Sequence, residues 1–210
     1  MEFELLRRAA PGAPCIYLFG EKEAPALPDA FPAAVVGVPV SDWGSDLSPW
    51  PAPPMGDMAF SGNGRAFLSR FLHETMQKAE EALGGTPSRR FTAGYSLAGL
   101  FAVYTLLESG LFQGCACMSG SLWYPGWTDY LRQVPPPPPS VLFYCSSGKK
   151  EGQTRRAPFS ELNRGIEATL AFFRSAKAEC RMEWFPGGHF QDVPARLAAG
   201  LTALADAGQR

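Results

Sequence analysis

Short apolar runs alternate with helix-length segments along almost the whole chain, and this alternation restricts the fold more than any other feature. Strands that are continuously apolar are typical of parallel sheets with helices on both faces. The pattern therefore predicts an α/β fold with a mostly parallel sheet covered on both faces. The predicted strands are 15–19, 33–40, 90–94, 114–120, 140–148 and 180–188, and the predicted helices are 64–83, 97–110, 160–178 and 193–208.

Two segments interrupt this alternation. Segment 41–57 is rich in proline and tryptophan, and long irregular segments in compact domains are often functional. The proline run 135–139 is expected to be a stiff polyproline lead-in to the next strand. At 210 residues the chain has the length of one domain, so we expect a single domain over residues 1–210.

The charge and hydropathy of the chain argue against several functional classes. A formal net charge of −1 gives no general attraction to nucleic acid or to anionic membranes. No apolar stretch reaches the roughly 18 residues of a membrane span, and the first residues contain no apolar signal-peptide core. We therefore expect a cytoplasmic protein that has neither nucleic-acid nor membrane partners.

The cysteines are the other residues that bear on location and cofactors. The chain has five, scattered along its length, and Cys115 and Cys117 would lie on one face of a predicted strand. Two cysteines alone do not make a zinc site, and the whole chain has only two histidines, so we expect buried reduced thiols and no metal. No G-x-G-x-x-G motif follows the first strand, which argues against a dinucleotide. We expect no cofactor.

The segment 91–99, FTAGYSLAG, places Ser96 between a predicted strand and a predicted helix. A strand–serine–helix corner is a nucleophile elbow, whose tight turn needs small residues two positions before and after the serine. Gly94 and Ala98 occupy those positions. The helix N-terminus would direct free N–H groups at the site, and Leu97 would supply half of an oxyanion hole. The alternative is that Ser96 only caps the helix.

A serine nucleophile needs a base, and the chain contains only His73 and His189. His73 lies within the predicted helix 64–83, where a packing or surface role is normal. His189 follows the last predicted strand, behind two glycines, and lies C-terminal to the serine as the order of this fold requires. We therefore expect His189 to be the base.

The acid is chosen by elimination among the acidic residues near that histidine. Glu151 alone lies in the loop just after the fifth predicted strand, from which a carboxylate could reach an imidazole. Asp129 and Asp192 are the reserve candidates. The alternative for Glu151 is a solvated charge within a basic cluster, whose members are Lys149, Lys150, Arg155 and Arg156.

With these residues in place, the chain resembles the putative-esterase branch of the α/β-hydrolase superfamily, which includes S-formylglutathione hydrolases, feruloyl esterases and siderophore esterases. The resemblance covers most of the chain and rests on VVGVPVSDWGSDLSPWPAP, GYSLAGLFAVY, MSGSLWYPGW, the SSGKKE loop and PGGHFQDVPARLAAGL. It implies a compact α/β-hydrolase fold without a large lid. It makes Ser96 the nucleophile, His189 the base and Glu151 the acid. It also implies a second oxyanion donor near Gly20 and Glu21.

These residues lead to the hypothesis of a serine esterase, which hydrolyses carboxylic esters through a Ser-His-Glu triad and an acyl-enzyme. One alternative is a non-catalytic hydrolase-like binding protein in which the serine is idle. Another is an acyltransferase, in which the same triad passes the acyl group to an alcohol instead of water.

Tryptophans in two loops suggest what the site binds. Both loops should emerge at the carboxyl edge of the sheet, beside Ser96. Indoles grouped there predict an apolar cleft suited to aromatic or sugar rings. We therefore expect small-acyl, aromatic, carbohydrate or siderophore-type esters rather than long-chain lipids. The expected substrate-binding residues are Trp43, Trp50, Ser121, Trp123 and Trp127.

Overall fold

A seven-stranded sheet forms the centre of the computed structural model, in which residues 2–21 and 25–209 are described. The strands are β1 (Glu4–Arg7), β2 (Cys15–Phe19), β3 (Ala34–Val38), β4 (Pro51–Met55), β5 (Met58–Ser61), β6 (Arg90–Tyr95), β7 (Gly114–Met118), β8 (Leu142–Gly148) and β9 (Glu179–Phe185). The order in the main sheet is β1-β3-β2-β6-β7-β8-β9, and β4 and β5 form a separate antiparallel pair. Every neighbouring pair in the main sheet is parallel except β1 with β3.

Helices cover both faces of this sheet. They are α1 (Trp43–Asp46), α2 (Gly64–Arg70), α3 (Met76–Ala82), α4 (Leu97–Ser109), α5 (Trp127–Leu131), α6 (Leu162–Ser175) and α7 (Val193–Gly208). Alternate residues of β2 belong to different cores: Tyr17 lies in the cluster that includes residues of α2, α4 and α6, whereas Ile16 and Leu18 lie in the cluster that includes residues of α7. The predicted α/β class is thus confirmed.

The structure contains several elements that the sequence analysis did not predict, and most of them have no continuous apolar run in their sequence. Strand β1 is an antiparallel edge strand with only partly buried residues, so its sequence has no buried-strand pattern. The expected helix 64–83 contains a π-helical turn, Phe71–Thr75, between α2 and α3. The expected irregular segment 41–57 contains α1 and strand β4, and the proline run lies in the irregular connection between α5 and β8.

The parallel strands end together at one edge of the sheet. Tyr95 at the end of β6 is in register with Met118 of β7, and Gly148 of β8 is in register with Phe185 of β9. The loops that follow these four strands therefore emerge side by side. In an open α/β sheet this carboxyl edge is where ligands bind.

The buried cysteines belong to the core. Cys115 and Cys117 face the same side of β7, as expected, and pack in one apolar cluster with Cys145. Burial raises the pKa of the Cys115 thiol well above its ordinary value, which keeps it protonated.

Within the described ranges, no group of three or more His, Cys, Asp or Glu side chains is arranged to hold a metal ion. Nor does any helix in those ranges have the length and apolarity needed to cross a membrane.

Candidate active site

Ser96 occupies a strained turn between β6 and α4. Its backbone has φ 58° and ψ −124°, a conformation that L-residues rarely adopt. A Cβ atom on Gly94 would lie 2.3 Å from the backbone carbonyl of Ala98, so only glycine fits two positions before the serine. The side chain of Ser96 makes no capping hydrogen bond to α4, although the residue stands at its N-terminus. The hydroxyl is therefore free for another role, and capping alone does not explain it.

The hydroxyl of Ser96 begins a chain of hydrogen bonds that joins three loops. Its Oγ lies 3.0 Å from Nε2 of His189, and Nδ1 of the same ring lies 2.7 Å from Oε2 of Glu151. Because a carboxylate only accepts, Nδ1 carries the proton and Nε2 is left to accept one from the serine hydroxyl. His73, by contrast, is exposed on the π-helical turn and outside this chain.

The carboxylate of Glu151 is buried and fully engaged. Its side chain is 3% exposed, and Oε1 accepts hydrogen bonds from Gly148 N (2.6 Å), Ser119 Oγ (2.9 Å) and Arg196 Nη1 (2.5 Å). Burial by itself raises the pKa of Glu151, but the hydrogen bonds that it accepts from His189 and Gly148 outweigh burial and hold the pKa below its ordinary value. The group is therefore ionised at neutral pH.

The reserve acids lie elsewhere. Asp129 is an exposed residue of α5 that pairs with Arg132 at 2.5 Å. Asp192 stands at the N-terminus of α7 with a left-handed backbone, at φ 55°. Neither is the partner of His189 Nδ1, a place that Glu151 occupies.

Three residues, Leu97, Gly20 and Glu21, were expected to supply the backbone amides of an oxyanion hole, and the amide of Gly20 is already bonded elsewhere. Leu97 is the first residue of α4, where the helix supplies no partner for the amide. Gly20 does not fit the expectation, because its N–H donates to the carbonyl of Val38 at 2.9 Å. This bond extends the β2–β3 ladder by one residue. Glu21, which follows, lines the cavity beside Ser96, and burial raises the pKa of its carboxyl group.

A cavity of about 750 Å³ opens above Ser96. Its walls include Glu21 on one side and the loop that carries Glu151 on the other. Of the expected substrate-binding residues, Trp43, Ser121 and Trp123 line it. Phe190, which follows the histidine, is 89% exposed and stands against the His189 ring with centroids 4.9 Å apart. The apolar residues that line the cavity include Trp43, Met55, Met58, Trp123, Phe159 and Phe190.

Two of the expected substrate-binding tryptophans do not line this cavity. Trp127 is 1% exposed, and its Nε1 donates to Thr169 Oγ1 of α6 at 2.9 Å. Trp50 donates to the carbonyl of Pro125 at 2.7 Å and stacks on Trp127 with ring centroids 6.5 Å apart. Trp127 thus ties α5 to α6, and Trp50 ties its own segment to Pro125 and Trp127. An indole buried in this way removes a large apolar surface from water, and this burial stabilises the segment that carries it.

Three polar residues beside the hydrogen-bonded chain were missed by the sequence analysis: Tyr95, Ser119 and Arg196. Ser119 follows β7 with a positive φ of 47°, and its hydroxyl bonds Glu151. Arg196 is fully buried in α7. One signal was available, because Arg196 is the sole charged residue between Val193 and Ala205 in an otherwise apolar helix. A buried arginine needs partners, and these surround the acid.

The fold and the site together define an esterase of the α/β-hydrolase type. Residues 26–193 match the family described as "Putative esterase", so the chain belongs to that family. It is accordingly a carboxylic ester hydrolase. A comparison with curated protein sequences gave no match.

Solved structures with the same fold include several esterases. An IroE-like serine hydrolase from Shewanella oneidensis has a TM-score of 0.71 and 16% identity, covering 97% of this chain and 74% of that one. The siderophore hydrolase EstA from Aspergillus nidulans has a TM-score of 0.67 and 16% identity, covering 96% and 84%. The enterobactin esterase FES from Shigella flexneri has a TM-score of 0.71 and 18% identity, covering 99% and 54%. At these identities the similarity shows the fold.

Proposed function

We propose that this esterase uses Ser96 as its nucleophile, His189 as its general base and Glu151 as the acid of a triad. The observation that carries the proposal is the continuous hydrogen-bonded chain of these three side chains, which starts at a strained elbow on the wall of a cavity. A serine that served only as a helix cap would need neither the strained backbone nor a histidine on its hydroxyl.

Acylation begins when Ser96 Oγ attacks the ester carbonyl carbon and the hydroxyl proton passes to Nε2 of His189. The carbonyl π electrons move onto oxygen, which gives a tetrahedral oxyanion. The Glu151 carboxylate stabilises the imidazolium through Nδ1–H. When the intermediate collapses, the bond to the alcohol oxygen breaks, His189 returns its proton to that oxygen, and Ser96 is left acylated.

Deacylation repeats these steps with water in place of serine. His189 takes a proton from water, the resulting hydroxide attacks the acyl carbon, and the acid is released as the proton returns to Ser96 Oγ. The oxyanion accepts hydrogen bonds from the Leu97 N–H at the start of α4 and, we propose, from the backbone amide of Glu21. The positive end of the α4 dipole favours the same negative charge.

The cavity supports a preference for small-acyl esters of aromatic or carbohydrate alcohols, and siderophore-type esters are a further candidate class. Its volume of about 750 Å³ is that of a site for one drug-sized ligand. Trp43, Trp123 and Phe159 offer ring faces on which an aromatic or sugar ring can stack.

Ester turnover and covalent labelling test the proposed nucleophile and base. Ser96→Ala and His189→Ala should each lower kcat by on the order of 10⁴–10⁶-fold with the fold intact, and the double variant should be little worse. His73→Ala is the matched control and should stay within a few-fold of wild type. A fluorophosphonate should label wild type at Ser96. Near-normal turnover by a folded Ser96→Ala protein would overturn the proposal.

A chain-length series tests the substrate class. We expect kcat/KM to be highest for p-nitrophenyl acetate or a feruloyl ester, to fall at butyrate and to be lowest at palmitate, because the cavity cannot enclose a long chain. A clear rise toward palmitate would contradict the proposed preference. Product analysis with competing alcohols separates hydrolysis from acyl transfer.

A further inference from the structure

Arg196 is a fully buried cation at this edge of the sheet. Its side chain is 0% exposed, and it lies in the first turn of α7, seven residues after His189. Burying a guanidinium group is costly unless its donors are paired, so the partners that repay the cost show what the group is for. Those partners lie in the two loops that carry Glu151 and His189, at the end of β6 and just after β7.

One arm of the guanidinium holds the acid. Nη1 lies 2.5 Å from Oε1 of Glu151 and 2.7 Å from Oγ of Ser119, whose own hydroxyl donates to the same Oε1. With Oε1 fixed in this way, Oε2 of Glu151 points at Nδ1 of His189. Arg196, Ser119 and the Gly148 amide therefore all bind Oε1, which leaves Oε2 to face the imidazole.

The other arm holds the loop that carries the base. Nη2 donates to the carbonyl of Gly188 at 2.8 Å, immediately before His189. A second route passes through Tyr95, which accepts from Nη1 at 3.1 Å and donates its hydroxyl proton to the His189 carbonyl at 2.5 Å. The planar fork of an arginine can span two such partners at once, whereas a lysine ammonium is a single point.

We propose that Arg196 is a positioning residue that sets the distance and angle between Glu151 and His189 by holding both loops. The proposal rests on the triad proposed above. It does not require Arg196 to touch substrate, because its contacts are with Glu151, Ser119, Tyr95 and loop carbonyls. A group that aligns the acid and the base acts on kcat, and a misplacement of about 1 Å can cost on the order of 10²-fold.

The first experiment removes the fork. Arg196→Met keeps much of the side-chain volume, and we expect kcat to fall on the order of 10²-fold while KM changes less than about threefold. Arg90→Met is the matched control, because Arg90 forms a bidentate pair with Glu80 far from the site, at 2.7 and 2.9 Å. The control should lose stability without a comparable loss of kcat.

A double-mutant comparison separates positioning from a general effect on stability. If Arg196 acts through Glu151, then adding Arg196→Met to Glu151→Gln should reduce the fluorophosphonate labelling rate of Ser96 by less than about threefold. A merely structural arginine would cost the same factor in both backgrounds. A full 10²-fold loss in the Glu151→Gln background would overturn the proposal, as would unchanged kcat in a folded Arg196→Met protein.

Arg196→Lys tests the fork if the methionine variant does not fold. Lysine keeps the charge but cannot hold Glu151 and Gly188 together, so we expect kcat to fall at least tenfold with a normal thermal transition. Wild-type kcat in this variant would overturn the proposal. Failure of the triad itself would look different, because wild type would then resist fluorophosphonate and Ser96→Ala would keep its activity.

Discussion

Replacing Glu151 with glutamine should disable the histidine by reversing its tautomer. The carboxylate accepts three hydrogen bonds at Oε1 and one, from His189, at Oε2. A glutamine has one accepting oxygen, which should take the place of Oε1 because an NH₂ group there would face the Arg196 cation. The NH₂ group then faces Nδ1 of His189 and requires that nitrogen to accept. The ring proton moves to Nε2, where it blocks proton transfer from Ser96.

The size of the loss follows from two contributions. Restoring the productive tautomer would set a ring N–H against an amide N–H, at a cost of about 1–3 kcal/mol for an unmade buried hydrogen bond. The imidazolium also loses an adjacent carboxylate, which is worth about 2–4 kcal/mol at the effective dielectric of a partly exposed site. Together these contributions amount to about 3–7 kcal/mol, or a fall in kcat of about 10²–10⁵-fold.

The assay compares Glu151→Gln with Glu151→Ala on p-nitrophenyl acetate, with thermal unfolding as the control for folding. Alanine has no polar group to face Nδ1, so it imposes no tautomer on the ring. The tautomer with the proton on Nδ1 remains available, and kcat should exceed that of the glutamine variant. Both variants remove the negative charge, but only alanine also leaves the Arg196 guanidinium without the acceptor that the glutamine oxygen provides, so alanine should be the less stable variant. A folded Glu151→Gln protein with kcat within tenfold of wild type would refute this reasoning.

Three further changes test other parts of the site. Gly94→Ala should lower kcat by at least 10²-fold and destabilise the fold by about 1–3 kcal/mol, because its Cβ would meet the Ala98 carbonyl at 2.3 Å; unchanged kinetics and melting would contradict this. Phe190→Ala should raise KM for an aromatic ester with the unfolding free energy changed by less than about 0.5 kcal/mol, whereas buried Trp127→Ala should cost about 3–5 kcal/mol. Lys150→Gln should lower kcat/KM for a carboxylate-bearing ester relative to a neutral one, and Lys149→Gln, which lies outside the cavity lining, should not.

The features that sequence analysis predicted depend on local sterics or on chain order. The small residues around Ser96 reflect the close approach of β6 and α4 within one turn. The five residues 94–98 were therefore enough to predict the nucleophile elbow. The choice of His189 and Glu151 used the order of residues in this fold and the position of each after a strand. The strands were predictable because parallel strands buried on both faces are apolar throughout.

The features that were missed or misplaced depend on contacts between distant segments. An indole gives the same local signal whether it lines a cavity or packs a loop, so Trp50 and Trp127 were assigned to the cleft. In the structure they stack on each other, and Trp127 binds Thr169 of α6 while Trp50 binds the Pro125 carbonyl. Whether the Gly20 amide is available depends on β3, whose Val38 carbonyl accepts it. Arg196 bonds Glu151 across 45 positions, a pairing that no helical periodicity encodes.

The proposed nucleophile and its base are far apart in the chain, and this separation has a consequence for biosynthesis. Ser96 and His189, whose side chains meet at 3.0 Å, are 93 positions apart. A ribosome that adds roughly 5–20 residues per second needs about 5–20 s to pass from one to the other. Throughout that interval the nascent chain carries Ser96 without its proposed base, and Arg196 of α7 is added later still. The proposed triad can therefore hydrolyse esters only after every strand of the sheet has been synthesised, so the time that translation takes sets the earliest point at which activity can begin.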